Sequence, residues 1–318
     1  MAIPIADRRP PGLPGLVALG LLAAALFSCT FVLNRSVSLA GGPWVWNAAL
    51  RYVDMAVLLI GWIGLRHGWG RLLAVLRLYW RRMGFWLLAG GIGFGVFYGC
   101  ICYAADHAPG WIVAATWACT ILATPIVLWA FGSRVPRRGV LFAVVIVAGV
   151  GVLNVHAFAG GMGARLAAAV PALVAAFAYP LGNQLLNRAR HGAHDPDDVL
   201  HDPAACVLLM TLGALPVLFA AVLFVGPPPP SLGQVVSTGL VALIAGCGAT
   251  TVFLHARNAT TDAYRIAAVD ATQGAEVGFT LLGEVLLLGA AVPDLMGWLG
   301  LAAVTAGLVG FVMTSGGR

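Results

Sequence analysis

Ten apolar runs, each close to the roughly 20 residues that carry an α-helix across the hydrocarbon core of a bilayer, follow one another along this chain of 318 residues with little between them. Bounded by arginine, proline and glycine, they cover residues 14–34, 44–65, 84–105, 110–132, 139–157, 166–187, 203–225, 237–257, 267–289 and 294–313. In lipid a spanning segment must satisfy its own backbone N–H and C=O groups, which a helix does and an open strand does not. The predicted fold class is therefore all-α integral membrane, with ten transmembrane helices. A water-soluble fold is excluded by the same pattern, since 9% of the residues are charged against about 25% in soluble proteins. The two longest connections, 66–83 and 188–202, are predicted to be solvated and are too short to fold as domains.

Arginine sets the orientation. All 18 basic residues are arginine, and lysine is absent. Fifteen of them fall on one side of the predicted spans: Arg8, Arg9, Arg66, Arg71, Arg77, Arg81, Arg82, Arg134, Arg137, Arg138, Arg188, Arg190, Arg257, Arg265 and Arg318. Arg35 and Arg165 fall on the other side, and Arg51 lies inside a span. Positive residues accumulate in the cytoplasm, so both termini are predicted to be cytoplasmic. Topology and anionic lipid account for the net charge of +6, which leaves no case for nucleic acid binding. Without lysine this chain has no Walker A loop, Schiff-base site or lysine nucleophile. No ATP use and no cofactor are expected. The stretch after Arg8 and Arg9 runs past Cys29 to Leu33 and is taken as a retained first span, not a cleaved leader.

Several groups of residues have ordinary structural explanations. Cys29, Cys100, Cys102, Cys119, Cys206 and Cys247 lie within spans at no metal-ligand spacing and suit packing. His191, His194, Asp195, Asp197, Asp198, His201 and Asp202 crowd the sixth connection without a ligand scaffold, so a solvated loop is expected and no metal. Trp44, Trp46, Trp80, Trp86 and Trp111 sit near span ends, as interfacial anchors do. Gly91, Gly95 and Gly99 form a helix-packing stripe, and Pro125, Pro171, Pro180 and Pro216 are candidate kinks.

The two halves of the chain echo each other. Ala115-Thr116-Trp117-Ala118-Cys119-Thr120 with Thr124 matches Ala271-Thr272-Gln273-Gly274-Ala275-Glu276 with Thr280 at an offset of 156. Gly139 and Ala148-Gly149 match Gly297 and Ala306-Gly307 at 158, and Asn34-Arg35 matches Asn187-Arg188 at 153. Residues 1–157 and 166–318 are thus read as two repeats of five helices. An odd number of helices per repeat inverts the second half, the design of many secondary transporters with a midplane site.

Leu50-Arg51-Tyr52, Phe97-Tyr98, Tyr103-Ala104-Ala105, Ala114-Ala115-Thr116 and Thr124-Pro125 resemble the drug/metabolite transporter superfamily, in its ten-helix branch built of two EamA-type repeats. Ala271 to Glu276 and Leu282-Gly283-Glu284 resemble its multidrug-resistance efflux group and, more loosely, aromatic amino acid exporters. Many members carry a proline where Glu276 stands. The resemblance implies the inner membrane of a bacterium, export as the direction, and a cavity lined by spans one, three, four, six, eight and nine. There the substrate-binding candidates are Asn34, Tyr98, Trp117, Thr120, Tyr179, Asn183, His255 and Gln273.

Charged residues within spans are costly and usually functional. Arg51, Asp54, Asp270, Glu276 and Glu284 are those here. Thr272, Glu276, Thr280 and Glu284 recur every fourth residue, a polar stripe on one helix face that must look into the bundle or a cavity. At ~1.5 Å per residue Glu276 lies about 13 Å from the cytoplasmic end of span nine. It is read as a proton-coupling carboxylate or counter-ion, with a protonated acid bonded to Thr272 or Thr280 as the alternative. Glu284, nearer the outer surface, is expected to reach interfacial water. Arg51 and Asp54, three apart, are expected to pair within their helix, with capture of a substrate carboxylate by Arg51 as the alternative.

The predicted function is export of a small amphipathic organic compound, an aromatic amino acid or drug-like metabolite, by alternating access and without enzymatic activity. A facilitated-diffusion uniporter or channel and a membrane-embedded enzyme are the alternatives. The expected partners are that substrate and membrane lipid, and the expected state is a monomer or weak dimer.

Overall fold

The ranges expected for the ten spans fall on helices in a computed structural model that describes residues 12–132, 140–156, 162–192, 198–259 and 263–315. Arg8, Arg9, Arg134, Arg137, Arg138, His194, Asp195, Asp197 and Arg318 lie outside the described residues, as do the side chains of Arg165, His191 and Arg257. In chain order the helices are α1 (Leu13–Leu39), α2 (Trp44–His67), α3 (Trp69–Arg81), α4 (Met83–His107), α5 (Gly110–Ala130), α6 (Val140–His156), α7 (Met162–Gly192), α8 (Pro203–Val225), α9 (232–258), α10 (263–288) and α11 (Leu295–Ser315). Among the described residues no strand is present. Seven of these helices, α1, α2, α4, α5, α7, α8 and α9, contain segments long and apolar enough to cross a membrane; α6 and α11 carry shorter apolar stretches, Val144–Leu153 and Leu295–Phe311.

Local chemistry explains several boundaries. Asp202 accepts from the Ala204 amide at 2.9 Å to start α8, whose first residue is Pro203. Gly226 (φ 60°) and Gly289 (φ 63°) end α8 and α10 in the left-handed conformation that glycine adopts without a Cβ clash. The connection expected to be solvated over 66–83 is instead the amphipathic helix α3. Leu72, Val75, Leu78 and Tyr79 bury one face of it, while Trp69, Leu73 and Trp80 remain exposed. Its arginines lower the local hydropathy and hide the helix from a search for spans.

Four helices are irregular. A π segment interrupts α4 at Gly91–Val96 and another interrupts α9 at Ala242–Ala249. α5 breaks at Ala118 and Cys119, and α10 passes through a 3₁₀ turn at Thr272–Gly274. Such interruptions cost regular hydrogen bonding and mark hinges or sites more often than plain scaffold. Pro125, Pro171, Pro180 and Pro216 lie inside α5, α7 and α8.

Packing crosses between the halves. α1 lies against α9 and α10, α7 against α4 and α5, α2 against α8, and α6 against α11, a pattern that maps onto itself when the halves are exchanged. Gly20 meets Thr272 and Gly283 meets Val32, so α1 and α10 run parallel. Thr120 reaches the Ala176 carbonyl and Arg188 the Phe131 carbonyl, so α5 and α7 run parallel too. Gly93 and Gly182 bring α4 and α7 so close that neither position has room for a Cβ. The expected Gly91-Gly95-Gly99 stripe is displaced. Gly91 and Gly95 meet Val217, Gly99 has only ordinary contacts, and the tight approaches fall at Gly90 and Gly93. The i→i+5 turns of the π segment advance the contact face, which α-helical spacing cannot foresee. Trp86 and Trp111, expected at the interface, are buried at 0% and 5% exposure. The exposed indoles include Trp62, Trp69, Trp80, Trp129 and Trp298.

Candidate functional site

Seven aromatic rings form one contiguous cluster between α1, α2, α4, α5 and α7. Phe97 is its hub, with centroids 5.0 Å from Tyr179, 6.0 Å from Trp117 and 6.1 Å from Tyr98. Tyr52 joins Tyr98 at 5.8 Å and Phe94 at 5.5 Å, and Phe31 joins Trp117 at 6.2 Å. Tilted, edge-on and stacked pairs such as these stabilise beyond their buried area. The Tyr98 hydroxyl and the Asn34 amide exchange hydrogen bonds at 3.1 and 3.2 Å. The Trp117 indole N–H is buried with no acceptor. Thr120 donates to the Ala176 carbonyl of α7 at 3.0 Å, next to Trp117 and Tyr179.

The structure thus brings together Asn34, Tyr98, Trp117, Thr120 and Tyr179. Asn183, one turn beyond Tyr179 on α7, is half-buried, as is Gln273, whose Nε2 has no hydrogen-bond partner. His255 does not join them: it is exposed on α9 and shares no ring contact or side-chain hydrogen bond with the cluster. Tyr52, Phe31, Phe94 and Phe97 are members that sequence reasoning missed. Tyr52 adjoins Arg51, and Phe94, Phe97 and Tyr98, at i, i+3 and i+4, share one face by ordinary α-helical counting, so the spacing of aromatics on span three was the signal available.

The ion pair expected between Arg51 and Asp54 is not formed. The Arg51 guanidinium lies 4.1 Å above the Tyr98 ring, and Asp54 turns to Thr238 of α9. Both keep a buried atom without a hydrogen-bond partner, Arg51 Nε and Asp54 Oδ2. Neighbouring helices outcompete an i,i+3 contact worth only tenths of a kcal/mol in an isolated helix.

All four residues of the α10 stripe are buried, with Glu276 at 6% and Glu284 at 1% exposure. Their surroundings differ. Glu284 does not reach interfacial water; its carboxylate accepts from the Gly110 amide at 2.6 Å and the Trp111 amide at 3.4 Å. It therefore caps α5 from another helix, where anions suit the positive end of the helix dipole. Arg35 holds the other side of that turn, donating to the Ala105 carbonyl at the end of α4 at 2.9 Å. The missing signal was the start of α5 itself, since Pro109 supplies no capping side chain and an acceptor has to come from elsewhere.

Glu276 has no such arrangement. Its carboxylate has no hydrogen-bonding or ionic partner among the described residues. The hydroxyls that sequence spacing offered it are used otherwise. Thr272 donates to the Val269 carbonyl at 2.6 Å and Thr280 to the backbone carbonyl of Glu276 at 2.8 Å. A carboxylate in this position can remain uncharged by holding a proton, and it has no counter-charge to keep it ionised.

Comparison with known proteins places this geometry in context. The family described as "Putative multidrug resistance efflux transporter" has a model that matches residues 15–316. The uncharacterized protein YjlA of Bacillus subtilis (strain 168) is 32% identical over 310 residues, covering 92% of this chain and 93% of its own. An uncharacterized 42.1 kDa protein in the intracellular alkaline protease 3' region of Shouchella clausii is 33% identical over 256 residues, 76% of this chain and 64% of that one. A protein of known crystal structure aligns over 93% of this chain and 96% of its own with a TM-score of 0.56 and 19% identity, a likeness of fold alone.

Proposed function

Since the chain belongs to the multidrug resistance efflux transporter family, and is a multi-pass helical membrane protein, we propose that it is a secondary active transporter exporting a small amphipathic organic compound by alternating access, with Glu276 as the proton-coupling carboxylate. Lone burial of Glu276 is the observation that carries this reading. The Thr272 and Thr280 hydroxyls beside it on α10 are spoken for, Gln273 Nε2 has no partner of its own, and the break at Thr272–Gly274 lies immediately before it. In the closed bundle Glu276 holds its proton, because the ionised form would be desolvated without a partner. When the site opens to water on the other side the proton leaves, so the carboxylate shuttles one proton per cycle.

The ring cluster supplies the apolar, polarisable wall of the substrate site, and Asn34, Tyr98, Thr120, Asn183 and Gln273 its polar groups. Two inverted repeats, 1–157 and 166–318, form the moving parts in this reading, with both termini in the cytoplasm of a bacterial cell and a monomer or weak dimer as the working unit. What supports the repeats is the paired irregularity of α4 with α9 and of α5 with α10, together with the exchange of packing partners between halves. Breaks and prolines in these helices lower the cost of bending between inward-open and outward-open forms.

The test is transport by purified protein in vesicles. Aromatic amino acids, cationic dyes and nucleosides are screened by thermal shift, and a stabilising compound is then used in labelled form. Counterflow against unlabelled compound is expected, with accumulation when a pH gradient is imposed. Glu276→Gln is expected to keep counterflow and lose gradient-driven accumulation. Wild-type accumulation with unchanged pH dependence in that variant contradicts the assignment.

A further inference from the structure

We infer that Arg51 and the rings around it form a site for a planar aromatic carboxylate, with the guanidinium holding the carboxylate group and the cluster holding the aromatic plane. This rests on the transporter reading and narrows it to one substrate class. The Arg51 guanidinium, a planar fork of N–H donors, sits over the Tyr98 ring with its Cζ 4.1 Å from the ring centroid. One of them, Nε, is buried with no acceptor. The groups facing Arg51 are Tyr52, Tyr98, Cys102 and Cys247, none of them an acid; Asp54, three residues on, lies toward Thr238, whose hydroxyl donates to the Val235 carbonyl, and keeps Oδ2 without a hydrogen-bond partner. Among the described residues, no acid is in ion-pair contact with this cation.

The ring cluster holds a second buried donor without an acceptor, Trp117 Nε1; the unpartnered acceptor Asp54 Oδ2 lies away from the rings, toward Gly239 of α9. A ligand that completes this site brings acceptors and negative charge. A carboxylate offers two oxygens to the guanidinium fork, the geometry in which arginine binds such groups most strongly. An aromatic ring attached to it meets Tyr98, Phe97, Trp117 and Tyr179, whose centroids lie 5.0–6.2 Å from one another along the cluster. A cationic ring compound gains the stacking and suffers repulsion from Arg51. Charge selectivity thus separates this site from one built around Glu276 as a counter-ion.

Binding to purified full-length protein in detergent, measured by calorimetry, tests it with three probes of nearly one shape: indole-3-acetate, its primary amide and tryptamine. Indole-3-acetate is expected to bind at least about tenfold more tightly than the amide, the effect of one charge-assisted contact, and tryptamine most weakly. Arg51→Gln is expected to erase the preference for the acid, and Arg51→Lys to keep part of it. Equal binding of acid and amide by the wild type, no binding of the acid, or a preference that survives Arg51→Gln overturns the site. The wild-type ratio decides even where Arg51→Gln does not fold. Counterflow in vesicles is read separately. Movement of the amide or tryptamine without preference for the acid overturns the site and leaves the transporter reading standing. Arg51-dependent binding of the acid without exchange across the membrane supports the site and overturns the transporter reading.

Discussion

α5 and α10 share a framework and differ in what fills it. Thr124 and Thr280 donate to the carbonyl four residues earlier, both at 2.8 Å, and Thr116 and Thr272 bond back to their own helices. Both helices break at matching places and both run parallel to a helix of the opposite half. At the two positions between the matched threonines the chemistry parts. Trp117 and Thr120 of α5 are packed among rings and tied to the Ala176 carbonyl, whereas Gln273 and Glu276 of α10 have a partnerless amide nitrogen and a partnerless carboxylate. α5 holds its partner helix with a hydrogen bond and leaves only the Trp117 indole donor open, whereas α10 leaves both an amide donor and a carboxylate open. In the proposed transporter, this contrast assigns binding to one half and coupling to the other.

Breaking the contrast at its acidic side gives the largest effect. Glu276→Gln removes the only group proposed to exchange a proton, and gradient-driven transport in vesicles is expected to fall by roughly a hundredfold or more, as loss of a proton-transferring group does in other proteins, with the melting temperature held within a few degrees. Next comes Glu284→Ala on the same helix, which leaves the Gly110 amide buried and uncapped. It is expected to cost about 2 kcal/mol, read as a lower melting temperature in detergent, and Glu284→Gln less. Thr120→Val cuts the cross-half hydrogen bond and is expected to cost about 1 kcal/mol, read the same way. Thr280→Val sits at the small end. Its hydroxyl bonds only its own helix, so a change within about 0.5 kcal/mol is expected, and a larger loss would mean that Thr280 supports Glu276 in a way the hydrogen bonds do not reveal.

Sequence and structure agree where periodicity and topology govern. The helical ranges, seven of them long and apolar enough to cross a membrane where ten spans were expected, the burial of the Thr272, Glu276, Thr280 and Glu284 stripe, and the gathering of Asn34, Tyr98, Trp117, Thr120 and Tyr179 were legible, the first two from spacing and the last from resemblance to a family. What was hidden involves partners distant in sequence or irregular backbone. No side-chain pattern announces that the partner of Glu284 is the amide end of α5, because backbone donors are sequence-blind. Arg51 and Asp54 satisfy the spacing rule for a pair, yet Tyr98 and Thr238 on other helices draw them apart. The π segments carry no residue signature beyond glycine, and so the contact faces of α4 and α9 could not be phased. α3 was masked by its own arginines.

The central claim is that Glu276 takes up and releases a proton while Glu284 does not change its role as a cap. Infrared difference spectroscopy of the reconstituted protein during stepwise pH changes reads this without a substrate, through the C=O stretch of the protonated carboxylic acid. The account predicts a reversible acid band that is absent from Glu276→Gln and retained in Glu284→Gln. A band that survives in Glu276→Gln, or one that disappears with Glu284 instead, contradicts it.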